Sequence, residues 1–361
     1  MLVWMFVISA FSCFVKPDRS NSDTRSDQDT NLSSIHDSGA TTKDDTSYSS
    51  VDDTTMVGVD SDSTTLDSVG DTSSHMDTNS TSTVTDNVGT KVYKAIAAGW
   101  WRTLAITIDG SIDCWGDCNE KNLPDGSYDK ICAEGGYACV YTASGEYRCW
   151  QDTVPVAGGA VSDQPSGLLV RDLSCGGEFV CAIQKNDGAL GCWGLSDGGE
   201  DDYGQVTDAP TGFENIRSVH AGYYHACLIE DDGNVVCWGS NRTDESEPIQ
   251  GDYLDIKGGW ESTCALGGDG QVVCWGTNSL GYNKHSKAHL ISELSGMGRD
   301  YLCGIDSSGG VYCWGNSGEE LYENSSSYQE VAVSLYHVCA LDEDGYAHCW
   351  GNDYYGQSSP P

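Results

Sequence analysis

The dipeptide Cys-Trp occurs seven times along this chain, at Cys114, Cys149, Cys192, Cys237, Cys274, Cys313 and Cys349. The intervals are 35, 43, 45, 37, 39 and 36 residues. A near-constant period of this length is the signature of a repeat architecture, and it limits every later reading of the chain. A second cysteine stands ten residues upstream at Cys139, Cys227, Cys264, Cys303 and Cys339, and eleven upstream at Cys181. In the first copy that place is taken by Leu104.

A spacing of ten follows from a hairpin. In the fourth copy, CLIEDDGNVVC, a three-residue loop of Asp231, Asp232 and Gly233 sets Ile229 opposite Val235, Leu228 opposite Val236 and Cys227 opposite Cys237. Such loops need a left-handed third residue, which glycine adopts without strain. Gly110, Gly145, Gly270, Gly309 and Gly345 fall at the same place, and the copy spaced by eleven takes a four-residue loop ending on Gly188. Cysteines at a non-hydrogen-bonded pair lie about 4.5 Å apart at Cα, within disulfide range.

Each Trp then points to the opposite face from its neighbouring Cys, facing Thr103, Ala138, Val180, Ala226, Thr263, Leu302 or Val338. Both faces of every hairpin must therefore be covered. Seven equal units, each sandwiched between two others, close into a ring: a seven-bladed β-propeller, all-β in class.

The stretch AGYYHACLIEDDGNVVCWGSN resembles the repeat of the RCC1 (regulator of chromosome condensation) superfamily, which runs G-x-x-H-x-x-A-L, D-G-x-V, W-G-x-N and G-Q. The resemblance covers residues 92–357. In length the short unit resembles the compact bacterial branch, which includes the secreted β-lactamase inhibitory protein II, more than the longer eukaryotic unit. The chain departs from the pattern at its histidine, kept only at His225 and His337, and at G-Q, kept only at Gly204 and Gly356. The resemblance implies the propeller fold and, for function, little by itself, because propellers host unrelated activities.

Three regions are expected: a signal-like apolar segment (1–16), a tether (17–91) and the propeller (92–361). In the tether Ser, Thr and Asp supply 16, 15 and 15 of 75 residues, with one aromatic, Tyr48. Such a stretch buries too little surface to offset its ordering entropy, so it is expected to be disordered, with an end-to-end distance of about 50 Å. The first fifteen residues resemble a shortened secretory signal without a basic start, and are too short to span a bilayer. Cys13 is the candidate lipid anchor, the only membrane attachment expected.

Beyond residue 91 there are 40 acidic and 13 basic side chains. Nucleic acid and anionic membrane are poor partners for such a surface. Of the 17 cysteines, the hairpin pairs Cys139–Cys149, Cys181–Cys192, Cys227–Cys237, Cys264–Cys274, Cys303–Cys313 and Cys339–Cys349 use twelve. This usage implies an oxidising compartment, extracellular or at a bacterial cell envelope. Of the remaining four propeller cysteines, Cys118 with Cys132 is the preferred bridge; Cys114 and Cys175 would then pair, and the other two pairings stay open. A zinc site at Cys114, Cys118 and Cys132 is the less favoured reading.

No nucleophile elbow, phosphate loop or metalloprotease motif is present, so the chain is expected to be no enzyme and to need no cofactor or metal. The tryptophans of the Cys-Trp pairs alternate with cysteine as core residues do. The positions four and three before the upstream cysteine vary more: Trp100 and Trp101, Tyr223 and Tyr224, Trp260, Arg299 and Tyr336 stand there, beside glycine or acid in other copies. They are expected on one end of the ring as a surface for a protein partner, because Trp, Tyr and Arg dominate protein-binding hot spots. The resemblance to the inhibitor implies that this loop series is the partner-binding face, and only the aromatic positions are carried over from it. Covering the funnel at the ring centre is the competing role for these rings. A monomer is expected, and the alternatives are a guanine-nucleotide exchange regulator, as the family name invites, and a carbohydrate-binding propeller.

Overall fold

The computed structural model describes residues 87–151, 159–277, 290–298, 301–315, 320–324 and 327–361. All lie in the second of the chain's two compact units, Met1–Asp71 and Thr72–Pro361. Cys13, Arg299 and most of the expected tether fall outside the described residues.

Seven antiparallel meanders follow one another. Blade 1 is β1 (Asn87–Ala98), β2 (Arg102–Thr107) and β3 (Ile112–Gly116), and blade 2 is β4 (Lys130–Glu134), β5 (Tyr137–Tyr141) and β6 (Tyr147–Gln151). Blade 3 is β7 (Val170–Cys175), β8 (Phe179–Gln184) and β9 (Leu190–Gly194). Blade 4 is β10 (Ile216–Ala221), β11 (His225–Glu230) and β12 (Val235–Gly239), and blade 5 is β13 (Tyr253–Gly258), β14 (Ser262–Gly267) and β15 (Val272–Gly276). Blade 6 has four strands, β16 (Ile291–Met297), β17 (Tyr301–Asp306), β18 (Val311–Gly315) and β19 (Glu320–Asn324). Blade 7 is β20 (Tyr328–Val333), β21 (His337–Asp342) and β22 (Tyr346–Gly351).

The hairpin register is the one the spacing of ten requires. Cys227 faces Cys237, Leu228 faces Val236 and Ile229 faces Val235. Gly233 closes the turn at φ 90°, its N–H donating to Glu230 O. All six hairpin disulfides form, with Cα atoms 4.0–4.1 Å apart. Each Cys-Trp tryptophan lies opposite its expected partner and is buried against the preceding blade, as Trp238 is against Cys181 and Ile183 of blade 3.

The preferred bridge between Cys118 and Cys132 does not form. Cys114, left without a cross-strand thiol because Leu104 faces it, pairs with Cys118 just past the end of β3. Cys132 lies on the inner strand of blade 2 and pairs with Cys175 on the inner strand of blade 3. The spacing rule sees only neighbours within a hairpin, and this bridge joins two blades across a sequence separation of 43.

Hydrogen bonds between blades explain two of the departures from the family's histidine, Tyr137 and Tyr301. His225 Nε2 meets Thr263 Oγ1 of the next blade at 2.7 Å, and His337 Nε2 meets Thr103 Oγ1 at 2.6 Å. Where tyrosine replaces histidine the hydroxyl makes the same crossing: Tyr137 donates to Gly176 O at 2.7 Å and Tyr301 to Ser334 O at 2.7 Å. Burial holds His225 and His337 neutral, each pushed down to about 4.

Closure of the ring uses one strand twice. The end of β1 pairs with β2 from Tyr93 opposite Thr107 to Ala98 opposite Thr103. Its beginning pairs with β22 of the last blade, Asn87 opposite Cys349 and Val88 opposite His348, and Thr90 N donates to Pro361 O at 2.8 Å. The ordered sheet thus starts at Asn87, inside the segment assigned to the tether. Those residues are held by main-chain pairing, which leaves no apolar pattern to read.

Candidate functional site

The inner strands β1, β4, β7, β10, β13, β16 and β20 surround a central cavity of about 340 Å³. Its polar lining includes Glu134, Asp172, His220, Lys257, Glu293 and Glu330. Lys257 Nζ donates to His220 Nε2 at 2.8 Å, which places the imidazole proton on Nδ1. Burial raises the carboxyls: Glu134 and Glu330 are each pushed up to about 7, and Asp172 and Glu293 rise in the same direction. Among the described residues, the set of three ligand-type side chains gathered closely enough for a metal is Cys132, Cys139 and Cys175, all spent in disulfides.

The links between inner and second strands emerge together at one end. A repeated main-chain bond fixes them to the ends of the third strands: Asp117 N donates to Trp101 O, Ser240 N to Tyr224 O, Thr277 N to Glu261 O and Asn352 N to Tyr336 O, all at 2.7–2.9 Å. Six of the seven residues singled out for partner binding lie on these described links, and the structure gathers them into two groups.

Trp100, Tyr223 and Trp260 form the first group. Trp100 of blade 1 stacks on Tyr223 of blade 4 with centroids 6.2 Å apart, and Tyr223 meets Trp260 of blade 5 at 4.6 Å. Blades 1 and 4 are three apart in a ring of seven, so these rings meet across the axis and roof the channel mouth. Tyr224 packs edge-on against Tyr223 at 4.6 Å and leads outward to Tyr203 at 5.2 Å. Arg242 lies over Tyr203, 5.7 Å from its centroid, and donates to its hydroxyl at 3.0 Å.

The second group is Trp101, Tyr336, Tyr355 and Tyr354. Trp101 stacks on Tyr336 at 4.1 Å and meets Tyr355 edge-on at 5.4 Å, while Tyr355 touches Tyr354 at 4.8 Å. Tyr354 is 83% exposed. Exposed carboxylates near these groups include Glu178 and Asp201 beside Tyr223, Asp117 beside Arg102 and Asp353 beside His337.

Sequence reasoning missed Tyr203, Tyr354, Tyr355 and Arg242. A signal for two of them, Tyr203 and Tyr355, exists, since Tyr stands directly before G-Q in both copies that keep it. The G-Q turn itself is wider spread than its letters. Tyr203 N and Tyr355 N donate to the side chains of Gln205 and Gln357, and Thr243 N donates in the same way to Glu245. Asp244 takes the glycine's place there at φ 65°.

Seven antiparallel meanders of three or four strands closed into a ring, with buried Cys-Trp hairpins, define a repeat propeller. Residues 93–122, 216–243 and 328–357 match the family model described as "Regulator of chromosome condensation (RCC1) repeat". These three stretches, in blades 1, 4 and 7, carry the RCC1-type repeat. The chain is 27% identical over 154 residues to the E3 ubiquitin-protein ligase HERC2 of Homo sapiens and of Mus musculus, which is 41% of this chain and 3% of those proteins. This chain therefore spans a small fraction of these relatives' length. Among solved structures it is similar to the ectodomain of the Physcomitrella patens receptor kinase CR4 (TM-score 0.59, 20% identity, covering 71% of this chain and 72% of that one). It is equally similar to the CRINKLY WD40 ectodomain of the Arabidopsis thaliana receptor kinase ACR4 (TM-score 0.59, 20% identity, 76% and 99%). At such identities the likeness shows the fold alone.

Proposed function

We propose that this chain is an exported, disulfide-stabilised propeller that binds a protein partner, without catalysis, through the end of the ring that carries the inner-strand links. The observation that carries this reading is the concentration of Trp and Tyr from several blades on that one end, where the scaffold needs none of them: blades 2 and 3 keep the same links with Gly135, Gly136, Gly177 and Glu178. Large aromatic side chains at an exposed, acid-rimmed surface are the residues that anchor protein interfaces. Export is supported by the cysteines, since all sixteen in the propeller are paired, a state that persists in oxidising compartments.

The test is capture of partners from culture medium and envelope extracts on the immobilised protein, repeated with Trp101→Ala and Tyr354→Ala. A partner retained by the parent protein and released at least about tenfold more readily by either variant supports this face. A partner held equally by all three forms places binding elsewhere.

A further inference from the structure

Two G-Q turns build the same local structure, and only one of them is complete. In the first, Tyr203 precedes Gly204-Gln205 and packs edge-on against Tyr224 of the following blade. Gly239, at the end of that blade's third strand, packs against Gln205, and Arg242 follows it by three residues and lies over the Tyr203 ring. In the second, Tyr355 precedes Gly356-Gln357 and packs edge-on against Trp101 of blade 1, while Gly116 packs against Gln357. The residue three past Gly116 is Asn119, which is exposed.

The remaining parts match as well. Asp201 stands two before Tyr203, and Asp353 stands two before Tyr355. Asp353 is exposed, and among the described residues its carboxylate accepts from Ser358 N and Ser359 Oγ, both neutral donors. Tyr355 contacts Trp101 and Tyr354 among the described residues, and no cation lies against its ring. The disulfide from Cys114 to Cys118 ties the segment before Asn119 to β3.

We propose that the Trp101, Tyr354 and Tyr355 surface is a seat for an arginine side chain of a protein partner, which takes the place that Arg242 fills in the other turn. The inference rests on the protein-binding reading of this face and specifies the partner's chemistry. An aromatic face beside a carboxylate attracts a guanidinium in two ways at once, by the ring quadrupole and by charge. Arg242 shows the arrangement at Tyr203, its guanidinium 5.7 Å from the ring centroid and donating to the ring's hydroxyl, and the acidic surface around the second turn steers a basic segment inward.

The experiment titrates the full-length, 15N-labelled protein with the peptide acetyl-Gly-Arg-Gly-amide, and separately with its neutral citrulline isostere, following the Trp101 indole N–H by NMR. The arginine peptide is expected to move that resonance saturably at millimolar concentration, with the citrulline peptide at least about tenfold weaker. Asn119→Arg is expected to fill the seat from within and abolish the response, and Tyr355→Leu to remove it. A Trp101 signal that ignores the arginine peptide, or that follows citrulline equally, overturns the proposal. If captured partners depend on Trp101 and Tyr354 but the peptide does not bind, the seat is wrong and the face stands. If the peptide binds and no partner is captured, the seat stands and the protein-binding function fails.

Discussion

Trp100 Nε1 donates a 2.9 Å hydrogen bond to Glu134 Oε1, so the aromatic roof of the channel hangs from a carboxyl of the neighbouring blade. Burial pushes that carboxyl up to about 7, against the opposing pull of the Trp100 and Gly135 N–H groups. As pH rises through 7 the acceptor becomes charged and the bond becomes charge-assisted. The Trp100 indole proton is therefore expected to shift downfield with a midpoint near pH 7, and Glu134→Gln to leave it fixed. An indole resonance that stays put between pH 5 and 9 in the parent protein would show that Glu134 does not ionise in this range.

The three kinds of disulfide should differ in worth. By loop length alone, the blade-joining bridge Cys132–Cys175 constrains the unfolded chain by about 4 kcal/mol, a hairpin bridge by about 2.7 and Cys114–Cys118 by about 2. Paired Cys→Ser replacements are expected to lower the urea midpoint in that order. A Cys132→Ser, Cys175→Ser form as stable as the parent would mean that blade packing alone fixes the distance between β4 and β7.

The propeller was legible in the sequence because its repeated unit writes the same residues at each fixed place: glycine at the turn, cysteine and tryptophan on opposite faces. The blade-joining disulfide was not, since Cys132 and Cys175 lie 43 residues apart and nothing local links them. Register was enough to pick out the link positions of Trp100, Trp101, Tyr223, Tyr224, Trp260 and Tyr336, because each stands four or three places before its upstream cysteine position. That Trp100, Tyr223 and Trp260 meet over the axis depends on ring closure across three blades, which no local pattern encodes. Tyr355 was visible beside its G-Q, yet its meaning required a second copy of the turn with Arg242 in place.

Ring closure gives a sharp length dependence. Residues 87–92 form the outer strand of blade 7, and Gly89 lies against Pro360 while Thr90 bonds to Pro361. A chain beginning at Asn87 keeps that strand. One beginning at Tyr93 loses it, leaves the β22 edge unpaired and opens the ring where its first and last blades join. The longer form is expected to melt at the temperature of the full chain, and the shorter one to melt several degrees lower and to aggregate. Equal melting temperatures would show that contacts between inner strands close the ring unaided.

Buried histidines and buried carboxyls set opposite pH slopes. His225 and His337 are pushed down to about 4 from an ordinary 6.5. Between those values the unfolded chain binds more protons, so their contribution is whole above pH 6.5 and lost as pH falls toward 4. Glu134 and Glu330 are pushed up to about 7 from 4.5, and there the folded chain binds more protons. Their cost is full above pH 7 and relieved as pH falls toward 4.5, with Asp172 and Glu293 acting in the same sense. From pH 6.5 to 4.5 the two effects oppose, and the stability of the parent protein is expected to be nearly flat. Replacing Glu134 and Glu330 together by Gln removes the compensating slope. The double variant should gain about 1–3 kcal/mol at pH 8, discounted for the channel's access to water, and lose stability steeply on acidification below 6.5. Urea unfolding at half-unit intervals from pH 4.5 to 8 measures both slopes, and parallel curves for parent and variant would mean that the two carboxyls titrate as they do in water.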